Sequence, residues 1–556
     1  MMFCSLVLLL HIANYLRAVK SVHIGKGAFL PRAPLTRGGS GGSGGGSGCS
    51  GGGSGCSGGG SGCSGRSLRA AVYTRSNHSC MGSESIFNKI CNDTDKQSGD
   101  KASELLQRAN YIRDVNGLYN LLPLGYKSIE KIISFLNTHL KRVNSHCLFM
   151  SILQAKKWWN ISDRSKLYSD EFLHVYKQKQ QKGDSNKGTE AVMGKKKMED
   201  DGLILSPTCE EQAISLINQV YNENIPAKSL PLLIHQFNYK FRNEKRLEKT
   251  LFKSKEFLMK DGYSFHSNDI CLSETYEAYK ECYEKVFSHL KLPFKVTKKR
   301  KMDKMNALES HEFQVLCRDG KYKEAAHIFK LGDYYSRKLG IKYLNKRNEK
   351  SNIFMGSYGI GIYRLLYFLV DSFYDGEGIR LPAQVAPFSV YLIQTNQRSK
   401  YSAAKVAKIG KLAQANEAVQ AVEAVQAVNS PNVPSAPTPP LNSNDVEYVL
   451  TLWLYNSFKN SDVDIYYDDT DLHLSRKLKN CDLIGVPNRI IINLSSEQKK
   501  IKLPPDFYNY MDTPNAILSN KLYMTFRDVT VEYKSRFSPE KKIMTIHQLF
   551  RQFGLI

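Results

Sequence analysis

A chain of 556 residues with 42% hydrophobic and 11% aromatic side chains has apolar surface for two to four domains, which excludes a chain without a core. Its formal charge of +25 favours a polyanionic partner, although a lysine-rich protein with solvated faces has the same balance. No Asp or Glu precedes Glu84, whereas Arg17, Lys20, Lys26, Arg32, Arg37, Arg66, Arg69 and Arg75 all do.

The chain opens with Phe3 to Ala13 (FCSLVLLLHIA), too short to span a membrane as a mature helix but of signal-segment length. Residues 1–22 therefore read as a signal-peptide-like segment and 23–100 as a Gly/Ser-rich, transit-like leader. Residues 38–65 hold 17 of the 39 glycines and can build no core. Cys49, Cys56 and Cys63 recur every seven residues as low-complexity repetition without metal-ligand spacing. Order is expected from about Ala102, in a catalytic-sized domain at 101–385. ASELLQRANYIRD is amphipathic, and residues 117–140 read as a turn and a long helix. Residues 176–200 are polar and charged, a surface insertion. A helical unit (209–224) precedes a strand (LPLLIHQFNYKFRNE), another helix is predicted over 274–290, and residues 353–373 join a strand to a helix through a glycine turn. A second domain, 386–556, starts with the buried-strand pattern APFSVYLIQTN. A low-complexity insertion at 403–445 interrupts it, with an Ala/Val/Gln repeat and then a Pro-rich tail. The remaining helix, strand, helix, strand order over 446–493 predicts a small mixed α/β domain. Cys147, Cys209, Cys271, Cys282, Cys317 and Cys481 lack CxxC spacing and read as buried free thiols in a reducing compartment.

Two stretches carry chemistry. In 241–266, Arg242-x-Glu244 ends a strand and Phe257 follows about one hairpin later. In 355–364 (MGSYGIGIYR), Gly359-x-Gly361 precedes Arg364 at the start of an apolar helix. These are the groups that hold a bent ATP: an arginine for the α-phosphate, a carboxylate for an amino group, an aromatic face and a second guanidinium around a purine. Singly they have bland readings, since Arg-x-Glu is often a surface ion pair and Gly-x-Gly is common.

Together and in order they resemble motifs 2 and 3 of class II aminoacyl-tRNA synthetases, and the surrounding words resemble prolyl-tRNA synthetases of the bacterial type. The resemblance implies an α/β (α+β) fold: an antiparallel-sheet catalytic core plus a mixed α/β anticodon-binding domain. It implies ATP and Mg²⁺ as cofactors with no zinc, L-proline and the proline tRNA as substrates, a homodimer, and no membrane in the mature form. Arg242 would bridge the proline carboxylate and the α-phosphate, Glu244 would take the adenine amino group, and Phe257 and Arg364 would stack on the purine. Lys253 stands where the family has Arg or His and would meet the γ-phosphate. Gly359 and Gly361 would let the backbone approach the nucleotide. Ser206 to Glu211 (SPTCEE) resembles the family's PTxEE loop, in which Thr208 and Glu210 would hold the secondary ammonium; Thr208 with Glu211 also fits a helix capping box. FLMKDGYSFH places Asp261 and Tyr263 by the proline ring. HIFKLGDYYS places His327 near substrate, with Glu324 a candidate Mg²⁺ ligand. Signal plus transit segments resemble the address of the apicoplast, a plastid within extra membranes; a secretory signal and a mitochondrial leader are the alternatives.

The chain departs from the family in several places. Only about ten residues separate the flanks between which the family's editing domain lies, so editing in cis is not expected. Ser151 stands at the motif 1 proline, Lys253 and Lys255 replace arginines, and DDTDLHLSRKL breaks the anticodon-domain pattern at Thr470, His473, Leu474 and Ser475. These changes motivate a second reading, a degenerate synthetase-like protein that binds tRNA or a partner without charging. A secreted disulfide-containing binder is a third.

Overall fold

The computed structural model describes residues 100–176, 202–244, 250–299, 304–395, 443–461, 463–504, 506–511 and 517–556. The signal-like and transit-like segments, the insertion beyond Tyr176 and the low-complexity insertion as far as Asn442 lie outside the described residues. Helix α1 (Lys101–Arg108) starts where the Asp100 carboxylate accepts from the backbone N–H groups of Ala102 and Ser103. A small hairpin follows (Ile112–Val115 with Leu118–Leu121). Its turn residues, Asn116 and Gly117, both have positive φ, 57° and 80°, as a two-residue hairpin turn requires. The sequence suggested the turn but not its strands. Pro123 then opens α2 (Pro123–Leu140), whose apolar stripe Leu124, Ile129, Ile132 and Leu136 is buried.

The site is carried by a seven-stranded sheet: β1 (His146–Cys147), β2 (Leu232–Phe241), β3 (Glu256–His266), β4 (Phe294–Lys299), β5 (Glu309–Leu316), β6 (Tyr322–Gly332) and β7 (Phe354–Gly361). The spatial order is β4-β5-β6-β7-β3-β2-β1, antiparallel throughout except that β1 runs parallel to β2. Between β1 and β2 comes α3 (Glu210–Val220). Between β3 and β4 comes α4 (Asp269–His289), and β7 runs directly into α5 (Ile362–Ser372). Period-two alternation sorts the strands' side chains. Leu258, Phe313, Ala326, Ile328, Tyr358 and Ile360 share one core with Tyr279, Tyr283 and Phe287 of α4 and Leu365 to Val370 of α5. Ile234, Tyr263, Phe265, Leu331 and Met355 share another with Ala213, Ile214 and Ile217 of α3. The helix predicted from residue 274 begins five residues earlier. There the Asn268 side chain accepts from Cys271 N–H and sets the start at Asp269.

The stretch expected to be a second domain holds a five-stranded mixed sheet: β8 (Val390–Gln394), β9 (Ile465–Asp468), β10 (Asn488–Ile492), β11 (Thr530–Ser535) and β12 (Lys541–Thr545), in the order β9-β8-β10-β11-β12. Its first three strands are parallel and the last two antiparallel. Helix α6 (Ser443–Lys459) joins β8 to β9 and begins inside the stretch assigned to the Pro-rich insertion, while α7 (Leu474–Ile484) joins β9 to β10. The seam with the first domain is close. Tyr111 donates to Ile484 O at 2.8 Å, and Lys127 and Lys131 each reach Asp464 at 2.6 Å. A Cβ on Gly378 would stand 2.1 Å from the Asp482 carbonyl oxygen, so only glycine fits there. Among the described residues the six cysteines are free thiols; Cys209, Cys282, Cys317 and Cys481 are buried as expected, but Cys147 on the edge strand is exposed and Cys271 in the first turn of α4 is half-buried. Among these residues no helix is long and apolar enough to cross a membrane.

Candidate active site

The β2–β3 hairpin register pairs Lys240 with Phe257 and Gln236 with Asp261, and Asp261 lies opposite Gly359 on the other side. Gly359 in turn pairs with His327 on β6. Gln236, Lys240, Phe257, Asp261, Tyr263, Ser357, Gly359 and His327 are therefore neighbours on the sheet face away from α4. The start of α3 lies over this face.

Thr208 and Glu210 come together. The Thr208 hydroxyl lies 3.0 and 2.8 Å from the two Glu210 oxygens, Ser357 donates to Glu210 at 3.0 Å, and both residues of the loop are buried. Thr208 makes no capping box with Glu211, because the helix is capped at Cys209 without a side-chain bond. What holds the two carboxylates is Arg164, a residue that stands in a polar run with nothing in the sequence to single it out. It is fully buried, donates to Glu210 at 3.2 Å and to both oxygens of Glu211 at 3.0 Å, and stacks on Trp159 and Tyr168 at 4.8 Å. Burial pushes the Glu211 carboxyl above its ordinary range despite Arg164.

Asp261 and Tyr263, expected beside a ring pocket, lie behind the loop as its support. Tyr263 is fully buried; it donates to Asp261 at 2.7 Å and accepts from Cys209 N–H at 3.1 Å. Asp261 also accepts from Gln236 at 2.9 Å and pairs with the buried Lys240 at 2.9 Å. Burial opposes the Lys240 charge, but Asp261 outweighs it and holds the ammonium above its ordinary pKa. One residue before Asp261, on the opposite face, Lys260 donates to Tyr283 (2.9 Å) and Tyr358 O (3.2 Å), and burial lowers its pKa to about 7.

The second half of the site is two guanidinium–aromatic pairs. Arg242 follows the last residue of β2, donates to Pro207 O at 3.2 Å and stands 5.4 Å over the Phe257 ring. That bond ties the hairpin to the Thr208–Glu210 loop. Arg364 stacks on Phe252 at 4.7 Å, an aromatic the sequence reading passed over, and pairs with Glu324 at 3.1 Å. The other Glu324 oxygen accepts from His327 at 3.1 Å. Burial alone would raise the Glu324 pKa; the His327 bond and the Arg364 charge outweigh it and hold the carboxyl at about 2. His327 stacks on Phe329, and its Nε2 is buried with no hydrogen-bond partner among the described residues. Glu244 follows Arg242 with its N–H on Arg242 O, and Lys253 lies on the turn beside Phe252.

The expected glycine turn is not one. Gly361 has φ −74°, open to any residue, and what it supplies is space: a Cβ would meet the Arg364 chain at 3.1–3.3 Å. At Gly359 a Cβ would meet Met259 at 2.4 Å. Among the described residues no group of three His, Cys, Asp or Glu is placed to hold a metal ion. Glu324 with nucleotide phosphates fits Mg²⁺, which takes one or two carboxylates beside substrate oxygens.

The family model of the tRNA synthetase class II core domain (G, H, P, S and T) matches residues 189–373. A proline–tRNA ligase of Wolbachia (from Brugia malayi) is 26% identical over 445 residues, 71% of this chain and 88% of that protein. One from Pelagibacter ubique is 25% identical over 481 residues, 75% of this chain and 93% of that protein. Among solved structures, the Giardia lamblia prolyl-tRNA synthetase in complex with prolyl-adenylate superposes with a TM-score of 0.58 at 18% identity, covering 80% of this chain and 73% of that one. The Cryptosporidium parvum enzyme complexed with L-proline and AMP gives 0.57 at 17%, covering 85% and 77%. The mixed α/β architecture with its antiparallel sheet is the class II synthetase fold.

Proposed function

We propose that this chain, which carries a class II synthetase core, is a proline–tRNA ligase that joins proline to ATP as prolyl-adenylate and passes the prolyl group to the proline tRNA. The observation that carries the reading is the junction at Pro207 O, where Arg242 ties the Thr208–Glu210 loop to the β2–β3 hairpin. It sets an ammonium-binding carboxylate beside a phosphate-binding guanidinium. The proline carboxylate is already the nucleophile, so the protein has only to position it and neutralise charge while pyrophosphate leaves. Glu210 and Thr208 receive the secondary ammonium, and Arg242 receives the carboxylate and α-phosphate. Phe257 and Arg364 receive the adenine, with Glu244 on its amino group. Lys253 meets the γ-phosphate as a point charge, and His327 orients Glu324. Glu324 would hold Mg²⁺ together with the nucleotide phosphates, and the ion would supply further charge neutralisation.

The finer parts rest on less. β5 and β6 are joined by a tight turn, Cys317 N–H bonding Lys321 O, which supports an enzyme without editing in cis. The basic, acid-free start of the chain supports import into a plastid such as the apicoplast, with the mitochondrion as the alternative. A homodimer follows the family resemblance. The non-charging alternative draws on Lys253, Ser151 and the altered anticodon-domain segment.

Pyrophosphate exchange by residues 84–556, with each of the twenty amino acids in turn, tests the activity. Exchange with proline, alone or with weak alanine, is expected. A folded protein that exchanges with none makes the non-charging reading the better one. A fluorescent protein fused behind residues 1–100 tests the address, which fails if the fusion is secreted or enters mitochondria.

A further inference from the structure

Far from these residues in the sequence, Arg380, Asp482, Arg489, Lys534, Arg536 and Phe537 line a cavity of about 300 Å³. Arg380 comes from the segment that leaves α5, Asp482 from the end of α7, Arg489 from β10, and Lys534 and Arg536 from the end of β11 and just beyond. Its walls are set by close backbone packing. Gly378 is pressed on the Asp482 carbonyl, and Gly485, at φ +83°, lies against Ile379.

The lining holds four cations and one carboxylate. Asp482 is shared by Arg489 at 3.5 Å and Arg536 at 3.0 Å, and Arg536 also reaches Asp375 at 3.0 Å and Glu377 at 3.6 Å. Among the described residues no ion pair answers Arg380 or Lys534. Arg380 is held over the Phe537 ring at 5.6 Å. Arg489 is only 9% exposed, and its Nε is buried without a hydrogen-bond acceptor. The same is true of the Nε atoms of Arg380 and Arg536. The three arginines of the lining each keep one buried Nε–H without an acceptor, and buried donors are rarely left so. Asp482, Asp375 and Glu377 answer only the terminal nitrogens of Arg489 and Arg536, which leaves the lining with an excess of cations. A multi-oxygen anion would answer that excess, because guanidinium forks match tetrahedral oxyanions and the Lys534 ammonium adds a point charge.

We propose that this cavity is a binding site for a phosphate-class oxyanion, separate from the site of activation. Two sources share that chemistry, a free small phosphate and a backbone phosphate of RNA, and two arms of one experiment separate them. In the first arm, the full chain and its Arg380→Gln, Lys534→Gln and Arg489→Gln variants are titrated calorimetrically with inorganic phosphate, against sodium chloride at matched ionic strength. In the second, the same proteins bind the proline tRNA over a range of salt. Loss of one charged donor is expected to weaken phosphate binding about tenfold in each variant, with proline-dependent exchange unchanged. An effect on phosphate in the first arm assigns the site to a free anion. A tenfold loss confined to tRNA, with a shallower salt slope, assigns it to the RNA backbone. Arg380 and Lys534 are not fully buried, so their variants keep the test standing should Arg489→Gln unfold. Equal binding by wild type and variants in both arms overturns the proposal.

Discussion

If Glu210 receives the proline ammonium as proposed, replacing it by glutamine separates that binding from the support of the fold. Glu210 is 1% exposed and accepts from Thr208, Ser357 and Arg164 at 2.8–3.2 Å. An amide of the same shape keeps an oxygen for Ser357 and removes the charge. Arg164 is not left bare, because Glu211 holds it through both oxygens at 3.0 Å. The uncompensated buried charge that costs about 3–5 kcal/mol when a buried pair is broken does not arise. What is lost is a charge-assisted bond to a secondary ammonium, about 1.5–3 kcal/mol, or roughly 10- to 150-fold in kcat/KM for proline. Proline-dependent pyrophosphate exchange at saturating ATP measures it, with the KM for ATP unchanged. Glu211→Gln is the contrasting case. It leaves Arg164 on Glu210 alone, so its main effect is expected on the thermal midpoint. A Glu210→Gln enzyme whose proline KM stays within about twofold of wild type, or whose loss is in ATP, refutes the assignment.

Arg242→Ala should lower exchange about 10²–10³-fold while the fold survives, because the arginine's stacking on Phe257 and bond to Pro207 O are a small part of the packing; an unchanged rate sinks its role. Lys260→Met should flatten the dependence of stability on pH. The folded pKa of about 7 lies below the ordinary 10.5, so between these values the unfolded chain binds the extra proton and wild-type stability rises with pH. The span is on the order of 4 kcal/mol, the methionine variant gains most at pH 7 and least at pH 10, and parallel urea midpoints across that range contradict it. Gly361→Ala is permitted by its φ but pushes on the Arg364 chain, so the KM for ATP should rise several-fold with little change in melting; a loss of stability without that rise would place the role of Gly361 in packing alone. Gly378→Ala forces a methyl onto the Asp482 carbonyl and should cost about 1–3 kcal/mol, read as a lower urea midpoint; an unchanged midpoint means the seam yields.

The elements that carry the motifs were legible because their signals are local: the apolar, β-prone run over Leu232–Phe241 and the apolar run of Ile362–Ser372 each mark an element, whereas the antiparallel sheet that joins them was implied by the family resemblance. Arg242 and Phe257 could be placed near one another because one hairpin joins them, whereas Thr208 and Glu210 were brought to the same site only by the family resemblance. Arg164, Phe252 and Lys240 could not. Each matters through a partner distant in sequence: Arg164 through Glu211, Phe252 through Arg364, Lys240 through Asp261. The capping box failed for a related reason. Glu211 would have to turn back to its own backbone, and a fully buried guanidinium binds it more strongly.

Charge accounting around Glu210 explains, on the proposed reading, why so polar a cluster persists. Glu210, Glu211 and Asp261 place three carboxylates in the buried cluster, and Arg164 and Lys240 supply two cations. One negative charge remains, and of the three carboxylates only Glu210 is bonded both to Arg164 and to the Thr208 hydroxyl. The burial pressure is visible in the raised Glu211 carboxyl, so the cluster gains when a cation arrives. A secondary ammonium brings one positive charge and two N–H donors, one for Glu210 and one for Thr208. A neutral isostere would bring neither the charge nor the donors. On the proposed reading, discrimination would therefore fall on the ammonium first. If Arg164→Met leaves two negative charges uncompensated, that variant should bind proline with altered pH dependence, rather than lose it uniformly. A proline KM that falls in parallel with wild type from pH 6 to 9 would show that the residual charge does not set recognition.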